Sequence, residues 1–245
     1  FIGQKNYATV LSDERFWQAI WFNIRYAIML DIGVILISLL IALALNNLKG
    51  KTSTLFRSIF FIPAVLSLVT VGLIWNELFL RAFPPIGEAL GIEWLSKSIL
   101  GSPATAIFGI LIVNLWQGCA TPTVLLLAGL QSVPSDLYEA ATIDGANAWQ
   151  KFKNITVPFL IPIITMLVIT TTKGGLTIFD YIQAMTAGGP AQSTEAIGIL
   201  IYRHAMSEGK FAQSVAESMC LFVIVAIVSF LTIKISSKKE VGDDT

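Results

Sequence analysis

Five long apolar stretches, at roughly 17–46, 55–79, 104–130, 157–181 and 213–235, constrain this chain more than any other feature. A helix needs about 20 predominantly apolar residues to cross the hydrocarbon core. Lipid offers no partner to a backbone N–H or C=O, so a spanning segment must satisfy its own. The expectation is an all-α, polytopic membrane protein with five spans. Composition agrees, because 55% of the 245 residues are hydrophobic and only 13% are charged. A soluble domain typically carries about 25% charged residues.

The net charge is zero, so no global field points to nucleic acid. Cys119 and Cys220 fall inside spans and read as reduced, buried thiols. His204, the lone histidine, reads as part of a polar loop. With no Cys/His cluster and no Ser/His/Asp constellation, neither a metal site nor catalysis is expected.

Basic residues orient the spans. One side of the membrane would hold Lys49, Lys51, Arg57, Lys151, Lys153, Lys234, Lys238 and Lys239. The other would hold Lys5, Arg15, Arg81, Lys97, Arg203 and Lys210, spread over longer loops. The first side is the better cytoplasmic one, which puts Phe1 outside and the C-terminal tail inside. A polar opening, Gly3-Gln-Lys-Asn-Tyr7, must be carried across the membrane. That implies a preceding span, and six in the full protein.

Within this frame, residues 8–16 suggest a short amphipathic helix on the outer surface. Arg25 and Asp31 lie six apart in the first span; Arg25 can snorkel, whereas Asp31 needs a partner or a watered cavity. Pro63 should kink the second span, with Ser67 and Thr70 following on a polar stripe. The loop at 80–103, with Pro84, Pro85, Trp94 and Pro103, reads as ordered surface structure. In the third span Asn114, Gln117 and Thr121 fall at i, i+3 and i+7, on one helix face. Such a face either glues helices together or lines a pathway. Lys173, before Gly174 and Gly175, sits deep in the fourth span, and Asp180 lies two turns on. Here the readings are an internal ion pair or contact with a polar or acidic substrate. The last span reads as packing.

Between spans three and four lies a polar island at about 135–156. Ser135 or Asp136 can cap a helix with Glu139 beyond it. Leu137, Ala140 and Ala141 form a small face, and Gly145 breaks the helix before a second one over 147–154. By spacing alone this is a docking knob or an ordinary loop.

Glu139-Ala-Ala, Asp144-Gly-Ala and Ile155-Thr-Val-Pro158 resemble the EAA motif of permease subunits in bacterial ABC importers. The stretch from Leu130 to Ala146 is similar to the oligosaccharide and glycerol-phosphate subfamily of the maltose-transporter type. Phe179-Asp-Tyr-Ile-Gln-Ala-Met-Thr-Ala-Gly-Gly-Pro190 with Thr194 supports that branch. Phe1-Ile-Gly-Gln-Lys-Asn-Tyr7, Arg57…Pro63 and Trp94-Leu95 also fit.

The resemblance implies a single permease domain over 1–245, a type I ABC importer transmembrane domain in the bacterial cytoplasmic membrane. The island would be its coupling-helix insert, with Glu139, Ala140, Ala141, Asp144 and Gly145 engaging an ATP-binding subunit. Two such subunits would hold ATP and Mg²⁺, because no Gly-x-x-x-x-Gly-Lys-Ser/Thr loop occurs here. A second homologous permease would complete the pore, and an external solute-binding protein would deliver a carbohydrate to loops 80–103 and 182–212. Matching by motif places the sugar contacts on Ser67, Leu68, Gln117, Gly118, Thr121, Thr171, Gly175 and Ile178, with Asn114 and Lys173 beside them. Gly174, Gly175 and Ile178 stand where a maltose-type site offers aromatic and amide groups. This subunit then contributes little to binding, or its ligand differs, being larger or anionic. The competing reading is an ion-coupled secondary transporter or channel, for which only Asp31 and Lys173 sit near mid-depth.

Overall fold

The computed structural model describes residues 3–48 and 50–240, the side chains of residue 51 and of 235–240 excepted. Phe1, Ile2 and Lys49 lie outside the described residues, as do the side chains of Lys51, Lys238 and Lys239 used in the charge count. The described residues form thirteen α-helices and no strand.

Three helices are long and apolar enough to cross a membrane: Glu14–Asn46, Ala148–Leu176 and Phe211–Lys234. The second and third apolar stretches each qualify only as a pair of helices with a break between them. Helix α1, Lys5–Ser12, is the expected amphipathic piece, but it ends at Asp13, and residues 14–16 already belong to α2, Glu14–Asn46.

Pro63 does more than kink the second stretch. After α3, Gly50–Phe61, it sits buried in a 3-10 turn, Ile62–Val65, and the backbone is extended at Ser67 (φ −65°, ψ 132°) before α4, Leu68–Glu77. A missing N–H on a fixed φ favours such a turn over a continuous helix. The loop beyond is ordered as expected. Helix α5, Phe83–Leu90, has proline in its first turn and ends on Gly91 in the left-handed region (φ +68°).

The third stretch breaks between α6, Ala106–Gly118, and α7, Ala120–Ser132. The carbonyl of Cys119 opens α7 by accepting from Thr123 N–H (3.0 Å), and it also accepts from the hydroxyls of Thr123 (2.7 Å) and Ser38 (3.3 Å). Because of this break the spacing of Asn114, Gln117 and Thr121 does not carry one continuous face. Gln117 is buried, Asn114 is half-buried and Thr121 is exposed.

The chain folds as two units. The first holds residues up to 31, 66–115 and 172–230; the second holds 32–65, 116–171 and 231 onward. In the first, Val10, Phe16, Ala19, Ile20, Ile197, Leu200 and Ala216 form one apolar core. In the second, Ala42, Leu45, Leu126, Leu127, Leu130, Leu160 and Leu167 form another.

Candidate functional site

The island belongs to the second unit and is built from α8, Ser135–Ile143, and α9, Ala148–Lys151. Pro134 occupies the N-cap position of α8, so neither Ser135 nor Asp136 caps it as expected, although Asp136 lies in the first turn. The C-terminus is closed as anticipated. Gly145 takes φ +77°, its N–H donates to Thr142 O (3.1 Å), and Ala146 N–H donates to Ala141 O (2.8 Å). This pair of bonds is a Schellman motif, which needs a left-handed residue and so favours glycine. Asn147 and Gln150 then form a capping box, each side chain accepting from the other's backbone N–H (3.0 and 2.7 Å).

Two further bonds tie the island together: Lys151 Nζ to Thr142 Oγ1 (2.8 Å), and the hydroxyls of Tyr138 and Thr156 (2.8 Å). The second island helix is not the separate element expected over 147–154. It passes through a π turn, Phe152–Thr156, directly into α10, Val157–Leu176, giving one helix from Ala148 to Leu176. The π turn, with its looser i→i+5 bonding, lies just before Pro158, which has no N–H to offer.

No residue of α8 or α9 is buried. Ile143 is 86% exposed and Trp149 67%, and Leu137, Glu139 and Ala140 are exposed as well. Apolar side chains are thus held outward on a capped pair of helices.

The ten expected ligand residues divide between the units. In the first, Ser67, Leu68 and Lys173 are exposed, Asn114 is half-buried, and Gly175 and Ile178 are buried. In the second, Thr121 is exposed, Gly118 and Thr171 are half-buried, and Gln117 is buried. Asn114 donates to the Tyr26 hydroxyl at 2.9 Å. A Cβ on Gly175 would sit 2.6 Å from the Cα of Ala27, so Gly175 serves close helix packing. Among the described residues no ion pair joins Lys173 to Asp180. The helix ends at Leu176 and Asp180 opens a new one, α11, Asp180–Met185, so the two-turn spacing does not align them. Asp31 does find a partner, accepting from Thr172 Oγ1 at 2.6 Å.

Three groups escaped the sequence reading. Asn23, 1% exposed, donates to the carbonyls of Gly175 (3.2 Å) and Leu176 (2.9 Å) and accepts from Ile197 N–H (2.9 Å). Glu195 is buried between Arg15, which donates twice (2.6 and 2.8 Å), and Arg203. His204 is not in a polar loop but 2% exposed, in a π turn at Arg203–Ser207 that continues α12, Ile197–Tyr202, with Nδ1 2.7 Å from Glu217 Oε1. A polar residue amid an apolar run was the only cue to Asn23 and Glu217, and such a cue names no partner.

Residues 34–238 match the family model of the binding-protein-dependent transport system inner membrane component. The chain belongs to this family and is a multi-pass membrane protein of the permease type. It is 45% identical over 242 residues to the multiple sugar-binding transport system permease of Streptococcus mutans, covering 98% of this chain and 83% of that one. It is 33% identical over 237 residues to the trehalose/maltose transport system permease of Thermococcus litoralis, covering 96% and 79%. Its fold is that of a bacterial ABC transporter involved in import of the acidic polysaccharide alginate, with TM-score 0.82 and 22% identity over 97% of this chain and 84% of that one.

Proposed function

We infer that this chain is the permease subunit of an ATP-driven, binding-protein-dependent importer and forms half of the pathway that carries a carbohydrate across the cytoplasmic membrane. The observation that carries the mechanism is the exposed, doubly capped island, with Glu139, Ala140, Ala141, Asp144 and Gly145 on it, continuing without a break into a membrane-long helix. The names of the relatives, which transport multiple sugars or trehalose and maltose, support a carbohydrate as cargo.

In this reading the island faces the cytoplasm, as does the C-terminus, and docks in a cleft of an ATP-binding subunit. ATP and Mg²⁺ belong to two such subunits; a second, homologous permease completes the pore, and a solute-binding protein delivers the sugar from outside. Closure of the ATP-binding pair displaces the island. A continuous helix of 29 residues is about 44 Å long at 1.5 Å per residue. It joins the island directly to the fourth span. Lys173, exposed and not paired with Asp180, is the side chain on this helix best suited to touch a polar or acidic sugar.

The test is uptake of labelled oligosaccharide by proteoliposomes holding the assembled complex and its binding protein. Uptake should require ATP inside and binding protein outside. Uptake by the permease alone, driven by an ion gradient, would overturn the reading in favour of a secondary transporter.

A further inference from the structure

Asp13, His204 and Glu217, far apart in sequence, meet in the first unit, where one donor atom from each lies within 4.8 Å of the others. Asp13 ends α1, His204 sits in the π turn, and Glu217 lies on the second turn of α13, Phe211–Glu240. Glu217 is fully buried. Its Oε1 is met by His204 Nδ1 (2.7 Å) and Gln213 Nε2 (3.2 Å), whereas its Oε2 is buried with no hydrogen-bond partner. Glu208 lies a further 3.8 Å from His204 Nε2.

The neighbouring cations already serve other carboxylates. Arg15 is held by Glu195 and lies 3.6 Å from Glu208, and Lys210 is bonded to Glu208. A protonated His204 would answer Glu217 Oε1 and still leave Oε2 without a partner. A buried carboxylate oxygen with no donor is costly, and a metal ion removes that cost.

We propose that Asp13, His204 and Glu217 bind one divalent transition-metal cation of the Zn²⁺ class. One imidazole nitrogen with carboxylate oxygens suits Zn²⁺, which takes such ligands at about 2.0–2.2 Å. Mg²⁺ and Ca²⁺ prefer oxygen alone. Water completes the shell, since Glu208 lies toward the other ring nitrogen, Nε2, and is held by Lys210. The ion ties the corner between α1 and α2 to the start of the last span, a role independent of which sugar is carried.

The test is titration of Co²⁺, a coloured stand-in for Zn²⁺, into the chelator-treated, nucleotide-free complex. One Co²⁺ should bind per copy of this chain, with visible bands of a low-coordinate nitrogen and oxygen site, and Zn²⁺ should displace it. Asp13→Asn and Glu217→Gln should weaken binding more than about 100-fold, beyond the effect usual for a residue that only supports a ligand. Should Glu217→Gln fail to assemble, Asp13→Asn decides, since Asp13 is only half-buried. No saturable binding overturns the proposal. So does binding that both variants retain, or a spectrum that His204→Gln leaves unchanged.

Discussion

The side-chain nitrogen of Asn23 lies 2.9 Å from the carbonyl oxygen of Leu176, at the point where the fourth span stops being a helix. A helix that ends inside apolar surroundings leaves carbonyls without partners, and here a neighbouring span supplies the donor. Replacing Asn23 by Ala should therefore lower stability by about 3 kcal/mol, with two carbonyls and the Ile197 N–H left wanting. Thermal unfolding of the purified complex measures it, and a change below about 0.5 kcal/mol would show that water takes over the role.

Gly175 packs where the backbone of Ala27 leaves no room for a Cβ. Gly175→Ala should cost about 1–3 kcal/mol through forced separation of the helices. Ala27→Gly should not restore the loss fully, because the closest atom is the Cα of Ala27 and not its methyl group. Thermal unfolding of the single and double variants separates the two contributions.

At Gly145 the space is open but the backbone is left-handed. Gly145→Ala should cost about 1–2 kcal/mol of local backbone energy and leave partial transport. Gly145→Pro cannot reach φ +77° and should abolish ATP-dependent uptake while the protein still inserts. Normal uptake by the proline variant would sink the coupling role of the island.

Glu139→Arg reverses a charge on the exposed face of α8. Membrane insertion should be unaffected and uptake lost, with the ATP-binding subunit failing to co-purify. Retention of that subunit at wild-type stoichiometry, with normal uptake, would move docking away from Glu139.

Lys173→Met keeps an unbranched side chain one atom shorter and removes its charge. The KM for a polar or acidic sugar should rise about tenfold, the order of one charge-assisted hydrogen bond, with the unfolding temperature unchanged. An unchanged KM would assign Lys173 no part in binding.

Much of the architecture was legible because spanning a membrane imposes a length and a composition that a sequence displays directly. The island's turn was legible for a related reason, since Gly145 is a local device; the Asn147/Gln150 capping box, equally local, went unread. The breaks were less legible. Pro63 announced a kink and delivered an interruption, while the break at Cys119 falls just before Pro122, which lacks the N–H that a continuous helix would give to the Gly118 carbonyl. Of the polar stripe, Asn114 and Gln117 share α6 while Thr121 lies beyond the break in α7, and helical spacing holds only while the helix continues.

By itself the sequence determined that this chain is a multi-pass helical permease, and where its polar island lies, because hydropathy and local motifs act over short distances along the chain. Only the tertiary structure decided which buried polar groups answer one another. Asn23 with Leu176, Glu195 with Arg15 and Arg203, and His204 with Glu217 are pairings across about 8 to 180 positions. A buried polar atom must find a partner wherever packing brings one near, and packing is a property of the folded chain.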